Sequence, residues 1–242
     1  MTATKDKSDV GSLPLPILNF FSKHYQSINI ERLKHLDSLG LNLKNKNVVD
    51  LGAGVGDHSL FYLLKGCKVT ALEGRSDLVE FIKVRFGINA MVCDFEKELD
   101  KLANMKGFDV VHCYGLLYHL GNPDSFLKVV AGVGNTLVIE TMVSPSSTGT
   151  INEVAEDALN STQAVSGMGC RPNRKWLYSE LKKHYKHVYS PKTQPSHPQF
   201  PLDWTSIPEN TTHTRVVFVA SHTPVQSDAL IEEIIDKHSL HG

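Results

Sequence analysis

A short segment, VVDLGAGVGDHS at residues 48–59, places three glycines within five positions. The glycines follow an apolar run and precede a helix-like pattern. A strand, a glycine loop and a helix N-terminus in this order bring backbone N–H groups around a ligand, and glycine lets the backbone approach it closely. The segment therefore predicts an α/β fold that binds a nucleotide-like ligand at this loop.

The rest of the N-terminal half repeats the same alternation of strand and helix. Helical patterns occupy residues 16–40, before the first strand. Strand-like runs at 47–52, 68–74, 89–95, 108–115 and 135–143 alternate with helical patterns at 57–65, 77–86, 96–104 and 123–131. Alternation at this spacing predicts βαβ units in a doubly wound α/β domain, with a mostly parallel sheet covered on both faces. Ligands bind such a sheet outside the carboxyl ends of its strands.

After residue 143 the pattern becomes less regular. Helix 174–185 and strands at 187–190 and 215–221 are predicted there. Residues 144–173 are rich in Ser, Thr, Gly and Asn, which is typical of an inserted segment, and 152–159 has a helical pattern. The predicted organisation is a disordered tail at 1–12, one domain at 13–226 with a substrate lid at 144–173 and a proline-rich loop at 191–213, and an amphipathic C-terminal helix at 227–242 that docks on the domain or forms a dimer contact.

Composition restricts the class of protein. A formal net charge of −1 over 242 residues gives no bulk attraction to nucleic acid or to an anionic membrane. The sequence has no signal-peptide pattern at its start and no apolar run of about 18 residues. The four cysteines lack CxxC spacing, and the histidines do not recur at a metal-ligand spacing. These features predict a cytoplasmic monomer or homodimer with reduced thiols and without a metal.

The glycine loop distinguishes between two kinds of ligand. A dinucleotide site has the pattern GxGxxG, with the pyrophosphate at the helix N-terminus. Here Asp57 stands where that pattern places its third glycine. A carboxylate at this position repels a pyrophosphate, so the loop favours a ligand without phosphates.

Four motifs resemble those of class I S-adenosylmethionine-dependent methyltransferases. DLGAGVG at 50–56 is similar to the first motif, ALEG at 71–74 ends the second strand, CDF at 93–95 ends the third, and FDVVHCYGLLYHL at 108–120 is similar to the fourth motif. Together they lie within residues 48–143. The resemblance implies a methyltransferase that uses S-adenosyl-L-methionine and releases S-adenosyl-L-homocysteine. It also implies a Rossmann-like, seven-stranded sheet with an antiparallel last strand and N-terminal helices.

The resemblance also assigns roles in cofactor binding. The glycine loop would pass close to the methionyl and ribose groups, Glu73 would bind the ribose hydroxyls, and Asp94 would bind the adenine amino group. Tyr114 and Gly115 would lie near the sulfonium. The complete predicted cofactor set is Asp50, Gly52, Ala53, Gly54, Gly56, Glu73, Gly74, Arg75, Cys93, Asp94, Phe95, Tyr114 and Gly115.

Methyl transfer needs alignment of the reacting atoms, and it needs a base only when the nucleophile carries a proton. His119 follows the fourth motif and has a pKa suited to proton abstraction near neutrality. Tyr118 shares this position, and Glu140 ends the fifth strand, where it could orient a polar substrate. The alternatives are a histidine packed in the turn before Gly121 and a glutamate that satisfies buried backbone groups.

Substrate contacts are predicted from the C-terminal half. Residues 171–192 contain seven lysines and arginines against Glu180 alone, which indicates either a solvated helix face or an anionic substrate. For an anionic substrate, Arg171 and Arg174 would be nearest the lid. His197 and Trp204 on the proline-rich loop are further candidates, with packing as their alternative role.

Three functions remain open from the sequence. The leading hypothesis is methyl transfer to oxygen or nitrogen of a small polar metabolite, a sugar derivative or a peptide. GLLYHLGNP and TLVIET are similar to segments of bacterial tRNA wobble-uridine carboxymethyl transferases, a resemblance that implies a role for Tyr118 in holding a carboxylated cofactor. The second hypothesis is therefore an RNA-directed methyl or carboxymethyl transferase, and the third is a non-catalytic, cofactor-binding partner subunit.

Overall fold

The computed structural model describes residues 13–145, 151–208, 211 and 213–241. The predicted tail at 1–12 lies outside the described residues, as do 146–150 of the predicted lid. The helices are α1 (Leu15–Leu18), α2 (Lys23–Ser38), α3 (Asp57–Leu64), α4 (Ser76–Phe86), α5 (Leu99–Ala103), α6 (Pro123–Val130) and α7 (Arg174–His184). Short 3₁₀ turns occupy Asn19–Phe21 and Leu117–His119.

The strands are β1 (Asn47–Leu51), β2 (Lys68–Glu73), β3 (Asn89–Val92), β4 (Phe108–Tyr114), β5 (Gly134–Val143), β6 (Ile151–Ala155), β7 (Met168–Pro172), β8 (His187–Pro191), β9 (Thr193–Gln194), β10 (Thr214–Ser221), β11 (Leu230–Ile231) and β12 (Ser239–Leu240). The central sheet has the order β11-β8-β10-β5-β4-β1-β2-β3. Strands β1 to β5 are parallel, and β10 runs antiparallel to its neighbours. The predicted doubly wound, mostly parallel sheet is confirmed, with eight strands instead of seven because β11 extends the edge at β8.

Both faces of this sheet are buried, because alternate residues along each strand enter different cores. Val111 packs with apolar residues of α6 and α7, whereas its neighbour Val110 packs on the opposite face with α2 and α3. Full burial of each such side chain contributes about 1.5–3 kcal/mol. The strand order reverses direction between β1 and β4, so the carboxyl ends of these two strands border the crevice where such sheets bind ligands.

Two predicted helices are wrong. Residues 152–155 of the predicted helix at 152–159 belong to β6, which pairs antiparallel with β7 in a two-stranded sheet. The predicted C-terminal helix at 227–242 is likewise replaced by two short strands. There β11 pairs with β8, and β12 pairs with β9. The edge of β8 and the backbone of β9 offer hydrogen-bond partners that a helix would leave unused, so tertiary pairing overrides the amphipathic periodicity.

Candidate functional site

The glycine loop follows β1 and turns over the end of β2. Gly54 has φ +57°, and a Cβ atom there would lie 2.8 Å from Cε1 of Phe20, so both the backbone angle and the close packing require glycine. The loop is also held by Glu73 at the end of β2, whose Oε2 accepts the N–H of Gly54 at 3.0 Å and whose Oε1 accepts the N–H of Arg75 at 3.0 Å. Burial raises the pKa of Glu73, and these backbone donors oppose the shift.

A first cavity opens at this edge of the sheet and measures about 790 Å³ including its mouth. Nine residues of the predicted cofactor set line it: Gly52, Gly54, Glu73, Gly74, Arg75, Asp94, Phe95, Tyr114 and Gly115. The structure therefore brings the ends of the first four strands together around one space.

Four residues of the predicted cofactor set do not line this cavity: Asp50, Ala53, Gly56 and Cys93. Asp50 is buried and accepts a hydrogen bond from Ser59 Oγ at 2.7 Å, so it fastens α3 to β1. Cys93 is fully buried in the core, and Gly56 forms the N-cap of α3. Asp50 faces away from the crevice because the pleat of β1 turns every second side chain to the other face.

A second cavity adjoins the first and shares part of its wall. Tyr118 and His119, on the 3₁₀ turn after β4, line both cavities, as does Arg32 from α2. The remaining wall of the second cavity includes Arg171 and Arg215, from β7 and β10. The predicted catalytic residues Tyr118 and His119 thus lie at the boundary between the two cavities.

His119 is oriented by a carboxylate from the lid. Its Nδ1 is hydrogen-bonded to Glu156 Oε2, and Glu156 Oε1 accepts from Arg171 Nη2 at 3.1 Å. Burial lowers the pKa of His119, although the Glu156 carboxylate opposes this shift. The lowered pKa keeps the imidazole neutral near pH 7, which is the state that a general base requires.

Glu140 does not lie where its predicted role in orienting a substrate would require. Its side chain is 0% exposed and lines neither cavity. Arg32 Nη2 donates to Oε2 at 2.6 Å, and Arg215 Nη1 donates to Oε1 at 3.0 Å. Glu140 therefore holds two arginines at the cavity walls instead of contacting a ligand itself. The cause is the register of the sheet, which places Glu140 beside Val217 in the middle of β10.

Three predicted substrate residues also lie away from both cavities. Arg174 donates to the carbonyl oxygen of Ile235 and pairs with Asp236, and its guanidinium lies 4.5 Å from the ring centroid of Trp204. Arg174 and Trp204 therefore fasten the C-terminal segment to α7. His197 is half-buried on the proline-rich loop, where its Nδ1 accepts the backbone N–H of Gln199. Arg171 is the one predicted substrate residue among the four that lines a cavity.

A lid segment, residues 156–166 between β6 and β7, covers the first cavity. Its residues 161–166 line the cavity wall. Arg75 Nη2 donates to the carbonyl oxygens of Ala158 and Asn160, each at 2.9 Å. Ser161 Oγ donates to the carbonyl oxygen of Pro16 at 2.7 Å and accepts from Asn19 Nδ2 at 3.1 Å. The lid segment is thus tied both to the end of β2 and to the N-terminal helices.

Sequence reasoning missed several residues of this site. Phe20, Tyr25 and Arg32 reach it from the N-terminal helices, Glu156 comes from the lid, and Arg215 is the second residue of β10. Arg32 had a detectable signal, because it lies four residues from both Ile28 and Leu36 on the buried stripe of α2. A charged residue on such a stripe indicates a buried partner or a ligand.

A cluster of buried histidines lies behind the glycine loop. His58 on α3 and His112 on β4 pack edge to face with ring centroids 4.7 Å apart. Burial lowers the pKa of His58 from 6.5 to about 3 and that of His112 well below 6.5. Both rings are therefore neutral in the folded state, while the unfolded chain takes up protons below about pH 6.5.

We expect this cluster to make the fold sensitive to acid. Each buried histidine contributes stability that is complete above about pH 6.5 and falls by about 1.4 kcal/mol per pH unit below it. Asp50 has the opposite effect, since burial raises its pKa to about 7. In the His58→Leu variant, the loss of unfolding free energy between pH 7 and pH 5 should be about 2 kcal/mol smaller than in the parent protein. Urea denaturation at the two pH values measures this difference. The exposed His24→Leu variant is the control, and an unchanged loss in His58→Leu would contradict the expectation.

Within the residues that the structure describes, no group of three or more His, Cys, Asp or Glu side chains is arranged to hold a metal ion. The same residues include no helix that is long and apolar enough to cross a membrane. All four cysteines are free and buried.

The sequence of this chain is similar to those of known methyltransferases over part of its length. Residues 49–135 match a family model described as a methyltransferase domain. The chain is 31% identical to a tRNA U34 carboxymethyltransferase of Aliivibrio salmonicida over 108 residues, which cover 42% of this chain and 33% of that protein. It is 28% identical to a ubiquinone biosynthesis O-methyltransferase of Nitrosomonas europaea over 112 residues, covering 45% of this chain and 48% of that protein. The matches thus span a third to a half of these relatives' length.

A solved structure has the same fold over most of its length. The N-terminal domain of EvdMO1, crystallised in the presence of SAH and D-fucose, aligns with a TM-score of 0.62 and 21% identity. The alignment covers 83% of this chain and 84% of that domain. At this identity the likeness establishes the fold alone.

Proposed function

The chain carries a class I methyltransferase domain, and on that premise we propose that it transfers a methyl group from S-adenosylmethionine to oxygen or nitrogen of a small polar acceptor. The acceptor would be a metabolite, a sugar derivative or a peptide held in the second cavity. The proposal depends chiefly on one observation: two adjoining cavities share Tyr118 and His119 as a common wall, and the glycine loop lines only the first of them.

The first cavity suits the charges of this cofactor. Its described wall carries the acidic side chains Glu73, Asp94 and Glu96 against Arg32 and Arg75. S-adenosylmethionine has two positive groups, the sulfonium and the ammonium, and one carboxylate, so its net charge complements that of the wall. Phe95 adds an apolar surface that suits an adenine ring.

Individual residues of the first cavity fit individual parts of the cofactor. Glu73 would accept hydrogen bonds from the ribose hydroxyls, and Asp94 would accept from the adenine amino group. Arg32 would bind the methionine carboxylate. It is 3% exposed, it forms one hydrogen bond within the described part of the chain, to Glu140, and its Nε is without a partner there. A guanidinium with several unused N–H groups suits a carboxylate.

When bound, the cofactor supplies a methyl group on a positively charged sulfur. The protein's part in the transfer is alignment, exclusion of water and removal of a proton. The second cavity would hold the acceptor, and the shared wall would bring its nucleophilic atom toward the first cavity. His119 would take the proton of a hydroxyl or amine acceptor on its free imidazole nitrogen while Glu156 holds the other nitrogen.

Calorimetric titration tests the choice of cofactor. S-adenosylmethionine and S-adenosylhomocysteine should both bind, and NAD should not. Asp57 occupies the first turn of α3, where its carboxylate already takes the place of an anion at the helix N-terminus and leaves no glycine for the close approach of a pyrophosphate. Binding of NAD alone would refute the proposal.

Glu73→Ala should weaken the binding of S-adenosylmethionine about ten- to hundredfold, because hydrogen bonds to a charged group contribute about 1.5–3 kcal/mol. The variant also removes the acceptor for the N–H of Gly54, which loosens the loop. The dissociation constant from calorimetry measures the effect. Asp100→Ala removes an exposed carboxylate outside both cavities and serves as the control. Unchanged affinity in Glu73→Ala would remove Glu73 from the site.

A carboxymethyl donor is the second candidate, and the surroundings of Tyr118 favour it. The guanidinium carbons of Arg171 and Arg215 lie 5.1 and 5.0 Å from the ring centroid of Tyr118, and Arg215 Nη2 lies 3.4 Å from its hydroxyl oxygen. An extra carboxylate on the transferred group would meet these three side chains. Titration with the carboxylated donor and with S-adenosylmethionine distinguishes the candidates: tighter binding of the carboxylated donor, lost in Tyr118→Phe, would favour the second.

An RNA acceptor would accompany this second candidate. The lysines of α7 at 175, 182 and 183 are exposed and could contact a phosphate backbone. Such binding should weaken steeply with salt, so the affinity for tRNA at two ionic strengths tests the hypothesis.

A further inference from the structure

The walls of the two cavities carry opposite charge. The described wall of the second cavity has three arginines, Arg32, Arg171 and Arg215, and a single acidic side chain, Glu156. His24 and His213 lie on the same wall. The first cavity has an acidic excess, so the chain keeps its positive charge on the side away from the glycine loop. Segregation of this kind selects different ligands for the two cavities.

The nearby carboxylates neutralise only part of the charge of these three arginines. Glu140 is shared between Arg32 and Arg215, and Glu156 is shared between Arg171 and His119. One positive charge therefore remains without a counter-charge among these groups. Arg32 and Arg215 are 3% and 7% exposed, so water screens this charge poorly. A buried charge without a partner is unfavourable, and an anionic ligand removes the penalty.

The positions of the arginines separate the two ligands. Arg32 lines both cavities and can bind the methionine carboxylate of the cofactor, whereas Arg171 and Arg215 line the second cavity alone. Arg215 uses three of its five N–H groups, on Gln199, Glu140 and Tyr118, which leaves two for another acceptor. The sulfonium of S-adenosylmethionine would have to face the acceptor, so its positive charge adds to the attraction for an anion there.

From this arrangement, and on the basis of the methyltransferase function proposed above, we propose that the acceptor carries an anionic group, a carboxylate or a phosphate, bound between Arg171 and Arg215. The oxygen or nitrogen that receives the methyl group then faces His119 on the shared wall. The anionic group fixes the acceptor by two guanidinium groups, and such charge-assisted hydrogen bonds are about twice as strong as neutral ones. Recognition of the acceptor thus depends on β7 and β10 rather than on the exposed lysines of α7.

Matched pairs of small acceptors test this inference: glucuronate against glucose, and glucose 6-phosphate against glucose. Each is titrated calorimetrically into the protein saturated with S-adenosylhomocysteine, which has no carboxylate on the transferred group and so leaves Arg171 and Arg215 free. The charged member of at least one pair should bind ten times or more tightly than glucose, and the two pairs distinguish a carboxylate from a phosphate.

Arg171→Gln and Arg215→Gln should each weaken binding of that charged ligand about tenfold, with S-adenosylhomocysteine still bound. Lys175→Gln is the matched control, because it removes one positive charge from the same basic stretch outside both cavities. The inference is overturned if glucose binds as tightly as the charged compounds, if neither charged compound binds, or if Lys175→Gln has the same effect as the arginine variants. Tight binding of the carboxylated donor with no binding of either charged sugar would also overturn it. Failure of S-adenosylhomocysteine itself to bind would instead refute the proposed function.

Discussion

Replacing Glu140 with glutamine is expected to lower the free energy of unfolding by about 3–5 kcal/mol, the range measured when one partner of a buried ion pair is removed. The variant keeps the size of the side chain but leaves Arg32 and Arg215 without a counter-charge where little water reaches them. Urea denaturation at pH 7 measures the loss. The free energy of unfolding of a folded domain is roughly 5–15 kcal/mol in total, so the expected loss is a large fraction of it.

A surface carboxylate provides the control for this experiment. Glu80 pairs with Lys83 on α4 and is 68% exposed, so Glu80→Gln should change the stability by less than about 1 kcal/mol. The double variant Glu140→Leu with Arg215→Met should recover part of the loss, because apolar groups can replace a buried ion pair at little cost. Equal stabilities of Glu140→Gln and Glu80→Gln would show that the two arginines are solvated and would contradict the buried arrangement.

Replacing His119 with alanine is expected to lower kcat by about 10²–10⁴-fold for an acceptor that must lose a proton, which is the usual contribution of a general base. The affinity for S-adenosylhomocysteine should stay close to that of the parent protein, because the glycine loop and Glu73 remain intact. The measurement is the rate of S-adenosylhomocysteine release with the charged acceptor identified by the titrations above. An unaffected rate would reject His119 as the base.

The pH dependence of the same reaction separates a base from a merely structural histidine. The base must be neutral, and burial lowers the pKa of His119, so the rate should stay level down to about pH 6.5 and fall only at lower pH. Glu156→Gln removes a carboxylate that raises this pKa, so the fall should move to still lower pH while kcat decreases. A profile that is identical in Glu156→Gln and the parent protein would contradict the proposed role of the lid carboxylate.

The sequence predicted most accurately the part of the site that is built from local motifs, which is the wall of the first cavity. The order of β1 to β5 and the positions of Gly52, Gly54, Glu73 and Asp94 follow from periodicity and from strand ends, because a parallel sheet brings these ends to one edge. Asp50 and Cys93 belong to the same motifs but face away from the cavity. Their orientation depends on the pleat and register of the sheet, which motif spacing does not specify.

The second cavity could not be predicted in the same way. Arg32, Glu156 and Arg215 are far apart in sequence and meet only because α2, the lid and β10 converge on one edge of the sheet. Arg174 had the right charge and lay close to Arg171 along the chain, but the helix turns it toward Asp236. The two wrong helices have a related cause, since strand pairing outcompeted local helical periodicity at 152–155 in the first and at 230–231 and 239–240 in the second.

The attachment of the lid segment has a kinetic consequence. Arg75 and Ser161 tie this segment to the end of β2 and to the residues around α1, and both side chains line the space that would hold the nucleoside. We expect these ties to open each time a spent nucleoside leaves and a fresh one enters. The residence time of the product, rather than the speed of the chemical step, would then set the pace of each cycle.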